Sequence, residues 1–335
     1  MISIIIPSYN RATLIKETLQ SVVAQTSPDW ECIVVDDGST DATIAVVSAF
    51  AKADSRIHLF QREQAYTSGG NGARQMGLEK ATSDWVMFLD SDDLLHDFCI
   101  ASRYSCALQY AEYEMLLFLT ATFKDKKGDS DILWNISHDN EDVAAYVIRF
   151  LDQDMPWHTS GVLWKKEFLL HIGGWNQSLK AWQDWELHVR ALCSLPKVKY
   201  MITDADTLYR LDVKDSIASS KTTNVYSMHI FKAIQSIENP LFSSFQMHFL
   251  KQKYRYLVYR TLIAHSLKTN KMAAAFQLAK KASTLRYVNF CEVTIVFCFE
   301  LLNRVILIKR FFKHKLKLGY YDKMRPHATF LKKRL

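Results

Sequence analysis

Apolar runs alternate with amphipathic stretches over residues 1–90 of the chain. Four short runs are almost wholly apolar and predict buried strands, whereas the stretches between them have apolar residues at helical spacing. The predicted strands are Ile2–Ile6, Cys32–Val35, Ile57–Phe60 and Trp85–Leu89, and the predicted helices are Leu14–Gln25, Thr43–Ala53 and Ala73–Ala81. Strands that alternate with helices are typical of βαβ units, so we expect an α/β domain whose parallel sheet is covered on both faces.

The pattern changes along the rest of the chain. Met115–Leu119 predicts another strand, and residues 157–211 again mix strand and helix patterns. From about residue 225 the pattern is helical, and a polar stretch rich in turn-forming residues precedes it. We therefore predict an α/β domain at residues 1–215 and a helical C-terminal region at 216–335, which is expected to contact an acceptor, a membrane surface or a second copy of the chain.

Composition is that of a globular protein with a substantial core. Of the 335 residues, 49% are hydrophobic and 13% are aromatic, which is enough apolar material for one large domain or two smaller ones. None of the six cysteines forms a CxxC pair, which favours reduced thiols in a cytosolic protein. The apolar run at the N-terminus is short and lacks a charged flank, so we expect a first strand and not a signal peptide.

Positive charge is concentrated at the C-terminal end. Residues 300–335 contain 11 Lys or Arg and two acidic residues, a net charge of +9, whereas the whole chain carries +7. Residues 290–308 have a wide apolar face but too many charged residues for a spanning helix. This segment predicts a helix on an anionic membrane face, with a buried helix or a dimer interface as the alternative. Lipid is the preferred partner, and nucleic acid is not expected.

Five acidic residues follow predicted strands and should meet at one edge of the sheet. They are Asp36, Asp37, Asp90, Asp92 and Asp93. Ligands of open α/β sheets bind beyond the carboxyl ends of the strands, where these residues are expected. Gathered carboxylates are tolerated when a divalent cation or hydrogen-bond donors accompany them.

The DxD sequence after the fourth strand suits a hard cation that is bound to a nucleoside diphosphate. Mg²⁺ or Mn²⁺ takes a few carboxylates together with phosphate oxygens. A solvated turn or the start of a helix would also favour acidic residues, so DxD alone is a weak signal. An aspartyl-phosphate phosphatase would carry DxD on its first strand, and here it follows the fourth.

Two further stretches have both a functional and a structural interpretation. In VVDDGSTDA (34–42), a carboxylate can accept hydrogen bonds from a base or a ribose, but this stretch taken alone favours a plain turn with an acidic helix cap. In SGGNGARQMG (68–77), glycines precede a predicted helix and Arg74 could pair with phosphate. The alternative is a flexible loop with Arg74 on the surface of a helix.

Taken together, these stretches resemble the inverting family 2 glycosyltransferases of the glycosyltransferase A fold. The matching segments are PSYNR (7–11), VVDDGSTD (34–41), NGARQMGLEKA (71–81), FLDSDD (88–93) and GGWNQSLKAWQDWELHVRA (173–191). Their order and spacing match as well, and the resemblance covers about residues 1–215. It implies a Rossmann-like mixed sheet flanked by helices, and transfer of a sugar from a nucleoside diphosphate donor, most simply a UDP-sugar.

The resemblance also implies roles for residues at the donor end of the site. Pro7, Tyr9 and Asp37 are expected to line the nucleoside pocket, with Tyr9 under the base and Asp37 accepting from its N–H group. Other residues expected to contact the nucleotide-sugar, directly or in support, are Asp36, Arg74, Asp90 and Ser91.

At the reacting end, the resemblance implies which residues bind the metal and which residue is the catalytic base. Asp92 is expected to hold Mg²⁺ or Mn²⁺, with Asp93 as a second ligand, and Asp184 is expected to be the catalytic base. The acceptor would be a glycan or a lipid-linked glycan in the synthesis of a surface polysaccharide, on the cytoplasmic side of the membrane.

Two positions depart from the family's pattern. Gln183 stands where the family has an acidic residue, and Asp212 stands where a histidine is common. Two other classes stay open, the first because it would also use a metal and acidic residues on such a sheet, and the second because of these departures. A metal-dependent sugar nucleotidyltransferase would release pyrophosphate, and a non-catalytic glycan-binding protein would keep the fold without turnover.

Overall fold

The strands of the domain fall into two sheets. In this computed structural model, the residues described are 1–137, 141–211, 224–268, 277 and 325–326. The strands are β1 (Ile2–Ser8), β2 (Trp30–Asp36), β3 (Ile57–Gln61), β4 (Trp85–Phe88), β5 (Leu94–Leu95), β6 (Met115–Leu117), β7 (Thr120–Phe123), β8 (Ile132–Leu133), β9 (Val162–Lys165), β10 (Val198–Tyr200), β11 (Thr207–Arg210) and β12 (Arg325–Pro326).

Helices cover the sheets and extend beyond them. They are α1 (Ala12–Val23), α2 (Thr43–Ala53), α3 (Gly70–Lys80), α4 (Cys99–Gln109), α5 (Val143–Leu151), α6 (Lys166–His171), α7 (Gln183–Cys193), α8 (Asn224–Ser236), α9 (Glu238–Ser244) and α10 (His248–Lys268). The predicted boundary near residue 215, Asp212 and the apolar stretch at 290–308 lie outside the described residues, as does the basic tail apart from 325–326.

The main sheet has the order β10-β6-β9-β4-β1-β2-β3. Strands β1 to β4 pair in parallel, as the alternating pattern predicts, and β9 runs antiparallel to both β4 and β6. Every residue of β1 and β2 is buried, because helices pack on both faces of the sheet. The sheet is therefore mixed, and the carboxyl ends of β1, β2 and β4 share one edge.

The chain that leaves this edge after β4 enters a smaller sheet. Its order is β12-β8-β7-β11-β5, and β5 directly follows the turn that contains Asp90, Asp92 and Asp93. Within it, β5 and β11 pair antiparallel, with Leu94 opposite Leu208. This pairing fixes the turn between β4 and β5 from its C-terminal side.

Helix α3 lies unusually close to β1. A Cβ atom added at Gly77 would be 2.4 Å from Cγ2 of Ile5, so a larger residue would push the helix away from the sheet. Glycine weakens a helix, but here it permits close packing. The close approach fixes α3, and with it Arg74, against the carboxyl edge.

The helices after residue 224 share the core of the α/β domain. Ile234, Leu241, Leu250 and Leu257 are fully buried in the same apolar cluster as Ile5 of β1. Among the described residues, no helix is both long enough and apolar enough to cross a membrane. Four of the cysteines, Cys32, Cys99, Cys106 and Cys193, are free thiols, in agreement with the expectation from their spacing.

Candidate active site

An acidic turn between β4 and β5 forms the centre of the site. The turn is closed by a hydrogen bond from the Asp93 N–H to the Asp90 carbonyl at 3.1 Å. Ser91 and Asp93 are buried, whereas the Asp90 side chain is 34% exposed. The turn therefore presents carboxylates of different exposure at the carboxyl edge of the sheet.

Arg74 of α3 neutralises the first carboxylate of this turn. Its Nη2 donates to Asp90 Oδ1 at 2.6 Å, and the guanidinium lies over the ring of Trp175 at 4.8 Å. Burial alone would raise the pKa of Asp90, but the Arg74 charge lowers it below its usual value. Arg74 also donates to Gln183 Oε1 at 3.4 Å, so it joins the turn to the start of α7.

For the next two carboxylates, burial and the neighbouring negative charges outweigh the opposite charges of nearby arginines. Burial and the neighbouring charge of Asp90 raise the pKa of Asp92 to about 6. Burial, with the charges of Asp92 and Asp90, raises the pKa of Asp93 well above its usual value. Asp93 accepts a hydrogen bond from the Arg210 N–H at 3.0 Å through Oδ1, while its buried Oδ2 has no hydrogen-bond partner. An added cation would satisfy this oxygen and favour the ionised carboxylates.

Three possible metal ligands converge beside the turn. Ligand atoms of Asp90, Asp93 and His158 lie within 4.8 Å of one another, and Asp92 is outside this group although it adjoins it. Nδ1 of His158 lies 2.7 Å from the Ser160 hydroxyl and 3.3 Å from the Ser160 N–H group, and these contacts fix the orientation of the ring. Burial lowers the pKa of His158, so the ring is neutral, as a ligand must be. The donor set fits a divalent cation.

The turn after β2 is organised by Asp36. The carboxylate accepts from the N–H groups of Gly38 and Ser39 at 3.0 and 2.8 Å and from the Ser39 hydroxyl. Gly38 has a φ of +88°, which is the left-handed region that favours glycine. Asp36 is fully buried, so its carboxylate supports the turn from within.

Asp37, in the same turn, has a side chain that is only 10% exposed. It pairs with the guanidinium of Arg62 and accepts from the Gly69 N–H at 2.7 Å. Pro7 is buried at the end of β1, whereas Tyr9 is 53% exposed next to it. Tyr9 therefore offers a free aromatic ring close to the end of β1.

The candidate base Asp184 lies in the first turn of α7. Its Oδ1 accepts from the Trp185 N–H at 2.9 Å, and its Oδ2 accepts from the Thr159 hydroxyl at 3.4 Å. Thr159 adjoins His158, so the base and the metal-ligand cluster meet at residues 158–159. Glu186, two residues further along, is buried and paired with Arg190 at 2.8 Å, which excludes it as a free base.

The structure brings together Asp90, Asp92, Asp93, Arg74 and, through Gln183 and Thr159, Asp184. Asp37 and Tyr9 lie at the neighbouring strand ends, and Asp36 supports their turn. His158, Arg62 and Arg210 were not predicted from the sequence. Residues 157–160 show no motif in the sequence, and only the pairing of β9 with β4 brings them to the acidic turn.

Residues 3–105 match the model of the family described as Glycosyl transferase family 2. A candidate teichuronic acid biosynthesis glycosyltransferase of Bacillus subtilis, TuaG, is 38% identical over 122 residues, which are 35% of this chain and 48% of TuaG. The Escherichia coli protein WfgD, named a UDP-Glc:alpha-D-GlcNAc-diphosphoundecaprenol beta-1,3-glucosyltransferase, is 44% identical over 94 residues, 28% of this chain and 36% of WfgD. The chain thus spans about half or less of the length of these relatives.

Solved structures of similar fold cover more of the chain. Residues 1–349 of Staphylococcus aureus TarS, in complex with UDP-GlcNAc, align with a TM-score of 0.58 and 15% identity over 83% of this chain and 88% of that one. The mannosyltransferase PcManGT of Pyrobaculum calidifontis, in complex with GDP-Man and Mn²⁺, aligns with a TM-score of 0.54 and 16% identity over 92% of this chain and 82% of that one. At identities this low the alignments show the fold alone, and they confirm the predicted glycosyltransferase A fold.

Proposed function

We propose, from the match of residues 3–105 to glycosyl transferase family 2, that this chain transfers a sugar from a nucleoside diphosphate donor to a hydroxyl group. The transfer proceeds with inversion at the anomeric carbon. The donor is a UDP-sugar, and the acceptor is a glycan or a lipid-linked glycan of a surface polysaccharide. The observation that carries the proposal is the bridge made by Arg74 between the acidic turn and the helix that holds Asp184.

The donor end is formed by residues after β1 and β2. Tyr9 has an exposed ring on which a base can stack, and Asp37 has carboxylate lone pairs that can accept from a base N–H group. Arg62 and the Gly69 N–H hold the Asp37 carboxylate in place. Pro7 and Asp36 shape the two turns that hold these side chains.

A divalent cation, Mg²⁺ or Mn²⁺, is held by the carboxylates of the acidic turn. Asp92 and Asp93 are its proposed ligands; ligand atoms of Asp90 and His158 lie within 4.8 Å of one from Asp93, and Asp92 adjoins this group. When bound, the cation neutralises the charge of the leaving diphosphate. The unpartnered Oδ2 of Asp93 and the raised pKa of Asp92 both support a cation at this turn.

Asp184 accepts the proton of the acceptor hydroxyl. The acceptor oxygen bonds to the anomeric carbon as the bond from that carbon to the diphosphate oxygen breaks, and the electron pair leaves with the nucleoside diphosphate. An attack from the face opposite the leaving group inverts the configuration. Asp184 is on α7 and the carboxylates that face the leaving group are on the acidic turn, two elements that Arg74 connects.

The expected location is the cytoplasmic side of the cell membrane. The +9 segment at residues 300–335 would bring the enzyme to anionic lipid, where a lipid-linked acceptor is available. Most of these residues lie outside the part that the structure describes.

A product assay with defined donors tests the proposal. The full chain is incubated with Mn²⁺, one of several UDP- or GDP-sugars, and methyl glycosides or undecaprenyl-diphosphate-linked N-acetylglucosamine, and the phosphorus-containing products are identified by ³¹P NMR. We expect release of nucleoside diphosphate that depends on the acceptor. A parallel reaction supplies nucleoside triphosphate and a sugar 1-phosphate.

Each other outcome identifies a different class of protein. Pyrophosphate release in the parallel reaction would indicate a nucleotidyltransferase. Donor binding without turnover under all conditions would indicate a non-catalytic glycan-binding protein, and either result would replace the proposed function.

A further inference from the structure

Trp182 has a backbone conformation that is unusual for its place in the fold. It directly precedes α7, with φ 53° and ψ 37°, in the left-handed region. Residues at this position of a helix usually have extended dihedral angles. The left-handed conformation is unfavourable for a bulky side chain because its Cβ crowds the following carbonyl oxygen. Residues strained in this way persist where the surrounding structure fixes them, and they cluster at ligand sites.

The other end of the same helix provides a contrast. Leu195 has the same φ of 53°, but it lies just beyond the C-terminus of α7. Helices commonly end with a residue in the left-handed conformation, so Leu195 needs no further explanation. Leu195 is also 57% exposed and lies one helix length away from Asp184. The conformation of Trp182 is therefore the one that calls for a local cause.

The two tryptophans at the start of α7 differ in what they offer to a ligand. Their ring centroids are 5.1 Å apart, at an interplanar angle of 51°. Trp185 is only 2% exposed, and its indole N–H donates to the Phe150 carbonyl at 2.9 Å, so this ring belongs to the core. Trp182 is only partly buried. Of the two rings, that of Trp182 has the aromatic surface that remains available near Asp184.

Building on the proposed function, we infer that Trp182 is the platform on which the sugar ring of the acceptor stacks. A pyranose ring has an apolar face of C–H groups that packs against an aromatic ring, and its hydroxyl groups remain free for hydrogen bonds. Asp184 is two residues further along the chain. Stacking at Trp182 would hold one hydroxyl of the sugar at the base. Trp182 is thus a positioning residue for the acceptor, and it exchanges no proton.

Four variants separate the ring of Trp182 from its backbone. Trp182→Ala and Trp182→Gly both remove the ring, but only glycine relieves the left-handed strain, and Trp182→Phe retains an aromatic face. Leu195→Gly is the matched control, because it relieves the same φ at a site remote from the base. The readouts are the melting temperature and the binding of methyl glycosides of glucose, galactose, N-acetylglucosamine and N-acetylgalactosamine, measured by saturation-transfer NMR.

We expect Trp182→Ala and Trp182→Gly to weaken glycoside binding about tenfold, the usual effect of losing one aromatic anchor, while Trp182→Phe retains most of it. Trp182→Gly should melt about 2–4 °C above Trp182→Ala, and Leu195→Gly should bind glycosides like the wild type. Donor binding should be unchanged in all four variants.

The inference is overturned if the ring-free variants bind the glycosides as the wild type does, or if the wild type binds none of them. It is also overturned if Trp182→Gly is no more stable than Trp182→Ala, since the backbone would then not be strained. Because these are measurements of binding and stability, they decide the role of Trp182 even when no sugar is transferred. An absence of transfer would count against the proposed function instead.

Discussion

Arg74 donates from one terminal nitrogen to Asp90 at 2.6 Å and from the other to Gln183 at 3.4 Å. One guanidinium therefore connects the acidic turn after β4 with the first residue of α7. A planar guanidinium can hold two acceptors in a fixed geometry, which a lysine ammonium cannot. Glutamine suits position 183, because its amide oxygen accepts from Arg74 without adding a further charge to the site.

Replacing Arg74 is expected to make metal binding more dependent on pH. In Arg74→Gln the carboxylate of Asp90 loses its counter-charge, so burial then raises its pKa. Asp90 should become protonated at a higher pH than in the wild type. Isothermal titrations with Mn²⁺ between pH 5 and pH 8 should therefore show a steeper loss of affinity on acidification in the variant.

Lys80→Gln provides the control for this experiment. Lys80 is on the same helix, and its side chain is 39% exposed and pairs with Glu63 at the surface. It should leave the pH dependence of Mn²⁺ affinity unchanged. Superimposable curves for wild type and Arg74→Gln would show that Arg74 does not control the charge of Asp90.

His158 is expected to contribute to metal affinity. Removing one ligand from a cluster of three should weaken Mn²⁺ binding at least tenfold in His158→Gln. His188→Gln is matched in burial, because His188 is also buried, with a pKa lowered to about 4, and it stacks on Trp164 outside the cluster. The electron paramagnetic resonance signal of free Mn²⁺ measures the affinity. Equal affinity in the two variants would remove His158 from the metal site.

Glu31 should stabilise the fold in a way that acid abolishes. Burial alone would raise the pKa of Glu31, but hydrogen bonds from Ser3 and Thr82 lower it below its usual value of 4.5. The stabilisation is therefore complete above about pH 4.5 and is lost as pH falls through the lower pKa of the folded state. Glu31→Gln should reduce the free energy of unfolding by about 1–3 kcal/mol at pH 7 and by progressively less below pH 4.

Urea denaturation at pH 7, 4 and 3 measures this effect, with the exposed Glu112→Gln as the control. A difference between Glu31→Gln and wild type that is the same at all three pH values would mean that the charge of Glu31 contributes nothing to stability.

Local pattern was sufficient to predict the N-terminal elements. The helix predicted at Thr43–Ala53 has those bounds in the structure, and the apolar runs of β1 and β2 are strands whose residues are all buried. The acidic turn could be placed at the carboxyl edge because βαβ connections have a fixed hand. These features depend on residues that are close together in the sequence.

Features that depend on distant pairing could not be predicted. His158 reaches the acidic turn only because β9 inserts antiparallel between β4 and β6. The two-residue strand β5 shows no pattern in the sequence, because it is defined only by its pairing with the distant β11. The different exposure of Trp182 and Trp185 could not be predicted either, because it depends on the packing of α7 against α5, which buries Trp185.

The central claim is that Asp184 deprotonates an acceptor while the donor is held on the other side of Arg74. Its most direct test is transfer by Asp184→Asn, with the anomeric configuration of the wild-type product determined by ¹H NMR. The substitution keeps the shape of the side chain and removes its basicity. We predict an inverted linkage in the wild-type product and at least a ~100-fold loss of transfer in the variant, with donor affinity nearly unchanged. Turnover of Asp184→Asn within a few-fold of wild type, or a product that retains the configuration of the donor, would contradict the account.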